Sequence, residues 1–85
     1  MSLLNKYVRV GDWNTEEEAL QAYNIADVIL NDGNDIQQAP VPSMEVYKRV
    51  LLILKGQGWT ASQQDMHIIR NMLRIKLGMD FPTDA

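Results

Sequence analysis

The residues of this chain that could carry catalytic chemistry are few and do not converge. His67 is the only imidazole, and nucleophilic catalysis would need a serine or threonine beside it and an acid to orient the ring. Ser62 and Asp65 precede it in the same predicted helix, but they point to other faces of that helix. The acidic residues 16–18 stand where a helix N-terminus favours carboxylates for electrostatic reasons. We therefore predict that the chain has no catalytic residues and is not an enzyme.

Nucleotide and metal sites are equally unsupported. Gly56-x-Gly58-x-x-Ala61 follows an apolar run and precedes a predicted helix, as a dinucleotide-binding loop does, but no second strand follows it. We interpret the two glycines as the end of one helix and the turn into the next. The chain has no cysteine, and the oxygen-bearing residues of segment 32–35 lack the spacing of a calcium loop. We expect no metal, no cofactor and no small-molecule ligand.

Charge is divided unevenly along the chain. Residues 1–42 carry two cations and seven acids, a net charge of −5, whereas residues 43–85 carry six cations and four acids, a net charge of +2. Segregated charge of this kind favours a surface used for contact. The acidic and basic halves could also pair head to tail between two copies of the chain.

The predicted contact surface is the basic face of a helical hairpin over 43–77. Leu52 falls among the cations of the first helix of this hairpin, where a leucine can serve as an apolar anchor while cations steer an acidic partner. We expect this partner to be another protein or a second copy of the chain. The residues predicted to bind it are Leu52, Lys48, Arg49, Arg70 and Arg74.

An alternative interpretation is a DNA-binding regulator. In this hypothesis the helix over 61–77 is the recognition helix of a variant helix-turn-helix, because arginine and asparagine can bond guanine and adenine edges. Against it stand the six-residue link 56–61, which exceeds the usual three or four residues, and a chain of net charge −3. The residues predicted to contact nucleic acid in this case are His67, Arg70, Asn71 and Arg74.

Three amphipathic segments must position these side chains. Each has apolar residues on one arc of a helical wheel and a hydroxyl residue before its first turn. The predicted helices are about 15–31, 43–55 and 61–77, and their predicted caps are Thr15, Ser43 and either Thr60 or Ser62. On the first wheel Asn24 and Asp27 fall on the polar arc, where we expect solvent. The third helix is apolar over roughly 200°, so we expect it to contact two neighbours.

The segments predict an all-α protein, a small three-helix bundle that forms a single helical domain over 1–85. A short N-terminal element over 4–10 is either a strand or a helical turn. A rival α+β arrangement would pair that element with Val50–Leu54 as a buried strand. This apolar run is also the longest in the chain and is too short to span a membrane. Together with the lack of cysteine, it makes us expect a soluble, cytoplasmic protein.

Overall fold

The structure is a computed structural model and describes residues 13–81. Within that range the chain forms three helices, α1 (Glu16–Asn31), α2 (Met44–Gly56) and α3 (Gln63–Leu77), with no strand between them. The predicted all-α three-helix fold is confirmed, and the run 50–54 is helical. The predicted N-terminal element over 4–10 lies outside the described residues.

Each helix begins at a side-chain cap. The hydroxyl of Thr15 accepts the backbone N–H of Glu18 at 3.1 Å, and that of Ser43 accepts the N–H of Val46 at 3.3 Å. Of the two predicted caps for α3, Thr60 and Ser62, the cap in the structure is Ser62. It forms a reciprocal capping box with Asp65. A cap satisfies backbone donors that have no partner within the helix. Because Ser62 is the cap, α3 begins at residue 63 and not at the predicted residue 61.

α1 is the central helix of the bundle. All residues from Ala22 to Val28 are buried, so this helix is covered on every side over two turns. Both α2 and α3 pack against α1, and no Cα atom of α2 lies within 8 Å of a Cα atom of α3. The segment after α3 folds back, with the ring of Phe81 edge-on to that of Tyr47 at 4.9 Å between centroids. α1 therefore holds two helices that do not approach each other closely.

Asn24 and Asp27 are the main departure from the predicted helix faces. Both were expected in solvent, and this is wrong: their side chains are 2% and 0% exposed. The amide of Asn24 donates to the carbonyl oxygen of Gln37 and accepts its N–H, both at 2.8 Å. This pair of bonds holds the loop after α1 against the side of α1.

Asp27 holds the same loop closer to the helix end. Its carboxylate accepts the backbone N–H of Asp35 at 2.8 Å and the side-chain amide of Asn31 at 3.0 Å. The hydroxyl of Tyr23 in turn donates to the carboxylate of Asp35. We call Asn24 and Asp27, with the backbone groups they bond, the polar clamp. Buried polar atoms are costly unless they are paired, and here every one among the described side chains has a partner.

The polar clamp predicts a strong contrast between two asparagines. Asn24→Ala removes both hydrogen bonds that hold the backbone of Gln37 against α1, so we expect it to lower the free energy of unfolding by about 1–3 kcal/mol. Asn34→Ala is the matched control, because Asn34 is exposed in the same loop, and we expect a change within about 0.5 kcal/mol. Urea unfolding of both variants measures the difference. Equal stabilities would contradict the clamp.

Gly33 fits the turn after α1 for two reasons. Its φ is +72°, in the left-handed region, and a Cβ atom at this position would stand 2.6 Å from Cδ of Lys76 on α3. At Gly56, by contrast, a Cβ atom would have open space within 4 Å, and the φ of this residue is not positive. The turn after α1 therefore requires glycine, whereas the end of α2 does not.

Alanine at these two glycines should change stability in opposite directions. We expect Gly33→Ala to destabilise the fold by about 1–2 kcal/mol, because alanine is disfavoured in left-handed backbone. Gly56→Ala should stabilise it by about 0.5–1 kcal/mol, since alanine loses less conformational entropy than glycine in a helix. Thermal and urea unfolding check both signs. A loss of stability in Gly56→Ala would contradict the open surroundings of that residue.

Candidate functional site

The outer face of α2 carries one exposed leucine among three cations. Leu52 is 71% exposed, while Lys48, Arg49 and Lys55 are exposed at positions −4, −3 and +3 relative to it. Residues three and four apart are neighbours on a helix surface, so these cations surround the leucine. We call these four residues the cationic patch. The opposite face of α2 is buried through Val46, Tyr47, Val50 and Leu54.

Arg49 is held in place at the edge of the cationic patch. Its guanidinium carbon lies 4.6 Å from the centroid of the Trp13 ring, within the range of a cation–π interaction. This contact ties α2 to the residues that precede α1. One of the three cations around Leu52 is therefore restrained, and restraint of this kind lowers the side-chain entropy that any contact at the cationic patch would cost.

The two arginines predicted on the same surface are placed differently. Arg70 and Arg74 are half-buried on α3. Arg74 donates to the side-chain oxygen of Asn71 at 2.8 Å, and its guanidinium carbon lies 5.4 Å from the centroid of the Phe81 ring. Phe81 also contacts Tyr47 of α2, so this ring lies between Arg74 and α2. The structure brings together Lys48, Arg49 and Leu52, and it places Arg70 and Arg74 on a second helix.

The four residues predicted to contact nucleic acid share one helix but not one environment. His67 and Asn71 are exposed, while Arg70 and Arg74 are half-buried. The oxygen of Asn71 already accepts a hydrogen bond from Arg74, although reading adenine requires both its donor and its acceptor. On this face of α3, one acceptor of Asn71 and one donor of Arg74 are therefore already bonded to each other.

α3 also leaves apolar side chains uncovered. Among the described helices only α1 has Cα atoms within 8 Å of those of α3, and further contacts of α3 are with the loop at Gly33 and the segment at Phe81. Ile68 is 52% exposed and Ile75 is 82% exposed. These two residues are seven apart and so lie on one face of the helix. The roughly 200° apolar arc thus indicates an uncovered face of α3 and not a second packed one.

A groove of about 230 Å³ is lined by residues from the second half of α1, from α3 and from segment 59–61. Its apolar lining comes from Val28, Ile29, Trp59, Ile68, Ile69 and Met72. Two carboxylates also line it, those of Asp32 and Asp65. Asp32 ends α1 and Asp65 lies in the first turn of α3, so both acids are positioned by helix ends.

The groove was not predicted from the sequence. Asp65 belongs to the capping box of α3, and Asp32 lies in the turn that ends α1. The packing of α3 along α1 brings these two acids to one groove. Helical wheels describe each helix separately and do not contain this information. Local sequence patterns do not indicate this packing.

Metal ligands are not grouped in the described part of the chain. Among residues 13–81 no three His, Cys, Asp or Glu side chains lie where they could hold one ion. In the same range no helix combines the length and the apolar character needed to cross a membrane. Comparison of the chain with protein-family models, with curated proteins and with solved structures finds no match. The candidate site therefore rests on geometry alone.

Two leucines on α2 test the placement of the cationic patch. We expect Leu52→Ala to change the free energy of unfolding by less than about 0.5 kcal/mol, because the side chain is exposed. Leu54 is only 3% exposed, and Leu54→Ala should cost about 2–5 kcal/mol. Chemical denaturation of the pair provides the measurement. A large loss in Leu52→Ala would mean that this leucine is part of the core.

Proposed function

We propose that this chain is a small non-enzymatic helical module that binds another protein, or a second copy of itself, through the cationic patch on α2. The observation that carries the proposal is Leu52, 71% exposed among Lys48, Arg49 and Lys55. An exposed apolar side chain surrounded by charged ones has the arrangement of an apolar interface centre with a polar rim. The lack of cysteine is compatible with the cytoplasmic location that we propose for it.

Physical estimates support an apolar anchor with electrostatic steering. Burying a leucine side chain fully contributes about 1.5–3 kcal/mol, which is enough to make one residue decisive in a small interface. The surrounding cations favour an acidic partner, raise the rate of encounter and make it depend on salt. Arg70 and Arg74 extend the proposal to α3, where they would contact the same partner only if it reaches past Phe81.

DNA binding has less support as the function. A helix-turn-helix needs its two helices packed together, whereas α2 and α3 each pack against α1 and not against each other. The bond between Arg74 and Asn71 competes with base contacts. We therefore keep His67, Arg70, Asn71 and Arg74 as the residues to test for nucleic acid and place protein binding first.

Affinity capture from source lysate tests the proposal. We expect the wild-type chain to retain an acidic protein at about 0.1 M salt and to lose it near 1 M, where the Debye length falls from about 10 Å to about 3 Å. Leu52→Asp should retain roughly one tenth as much or less, since hot-spot residues dominate interfaces. Ile75→Asp is the matched control, because Ile75 is exposed on another helix.

Two outcomes of this capture would contradict the proposal. Equal retention by wild type and Leu52→Asp would show that the cationic patch is not the binding surface. Retention of nucleic acid that Leu52→Asp leaves unchanged and Arg70→Ala removes would favour the DNA-binding alternative.

A further inference from the structure

We infer that the groove between α1 and α3 is the docking site for the cationic patch of a second copy of this chain. This inference rests on the proposed function, because it uses the same exposed leucine, and it names the partner. Leu52 of one copy would enter the groove of the next copy. Its flanking cations would face the two carboxylates of that groove.

The groove is large enough for the side chain it is inferred to receive. An apolar cavity of about 150 Å³ admits benzene, which has six carbon atoms, and the side chain of leucine has four. The groove has about 230 Å³ and is lined by Trp59, Ile69 and Met72 among other apolar residues. Leu52 at 71% exposure is free to enter it without rearrangement of α2.

The charges on the two surfaces are complementary. Lys48 and Lys55 lie one turn to either side of Leu52, and Asp32 and Asp65 are the two acids among the residues that line the groove. Asp32 is exposed, so its charge can be reached from solvent. Leu52 and its flanking cations therefore face a groove that offers both apolar side chains and two carboxylates, and charge complementarity of this kind favours a specific contact.

The cationic patch and the groove are different surfaces of the same chain. All residues of the cationic patch lie on α2, and no residue of α2 lines the groove. A contact between unlike patches is heterologous unless a two-fold axis repeats it, so copies form a closed pair with two such contacts, a closed ring or an open chain. In each case one variant can lose the cationic patch while another loses the groove.

A substitution of Thr60 can block the groove without disturbing the core. It lines the groove, is exposed and lies outside the helices. Thr60→Lys places a cation at the groove, where it repels the cationic patch of another copy. Thr60→Gln is the matched control, because it adds a side chain of similar length without charge.

Sedimentation velocity of the purified full chain at increasing concentration tests the inference. We expect the wild type to self-associate at low salt and to dissociate at high salt. Leu52→Asp and Thr60→Lys should each weaken association at least about tenfold, while Thr60→Gln and Ile75→Asp should weaken it much less. Circular dichroism and thermal unfolding confirm that each variant is folded.

A mixture of the two disabled variants gives the decisive result. Leu52→Asp keeps its groove and Thr60→Lys keeps its cationic patch, so an equimolar mixture should form a one-to-one pair that neither variant forms alone. Wild-type chains that stay monomeric at about 1 mM, a concentration that detects weak contacts, would overturn the inference. A mixture that stays monomeric would also overturn it. If the chain is monomeric but still captures a different protein through Leu52, the proposed function is supported. Only the inference that the partner is a second copy is then contradicted.

Discussion

The polar clamp is the interaction on which the rest of this structure depends. Asn24 and Asp27 are buried within the central helix, and an unpaired amide or carboxylate there would cost several kcal/mol. Their partners are the backbone groups of Asp35 and Gln37, 8 and 13 residues away along the chain. The loop after α1 therefore acts as a third neighbour of that helix, beside α2 and α3. An 85-residue chain gains in this way a stretch of helix, Ala22 to Val28, that is buried on every side.

The clamp also determines where the exposed surfaces lie. With the loop fixed along α1, the two other helices occupy the remaining sides of α1 and stay apart. Gly33 in the same loop lies against the aliphatic part of Lys76 of α3, and the preceding Asp32 is held at the groove. The outer face of α2 is left with Leu52 in solvent. The exposure of Leu52 and the position of the groove thus both follow from how α1 is covered.

Much of the fold could be predicted from local sequence, because helix starts depend on neighbouring residues. Thr15 and Ser43 cap the helices that were expected to follow them, and Leu52 is exposed among cations as its wheel position indicated. The burial of Asn24 and Asp27 could not be predicted in this way. A helical wheel assigns a polar residue to solvent unless a partner is known, and these partners come from a loop whose path depends on tertiary structure. The groove depends on helix packing for the same reason.

Amide hydrogen exchange tests the central claim most directly, because the polar clamp bonds two loop N–H groups to buried side chains of α1. We predict that the amides of Asp35 and Gln37 exchange within about tenfold of the amide of Ile25, at the centre of α1, since groups that open in one cooperative unit share one protection factor. Exchange of both amides as fast as that of Gln38, the next residue of the loop and outside the polar clamp, would contradict the account.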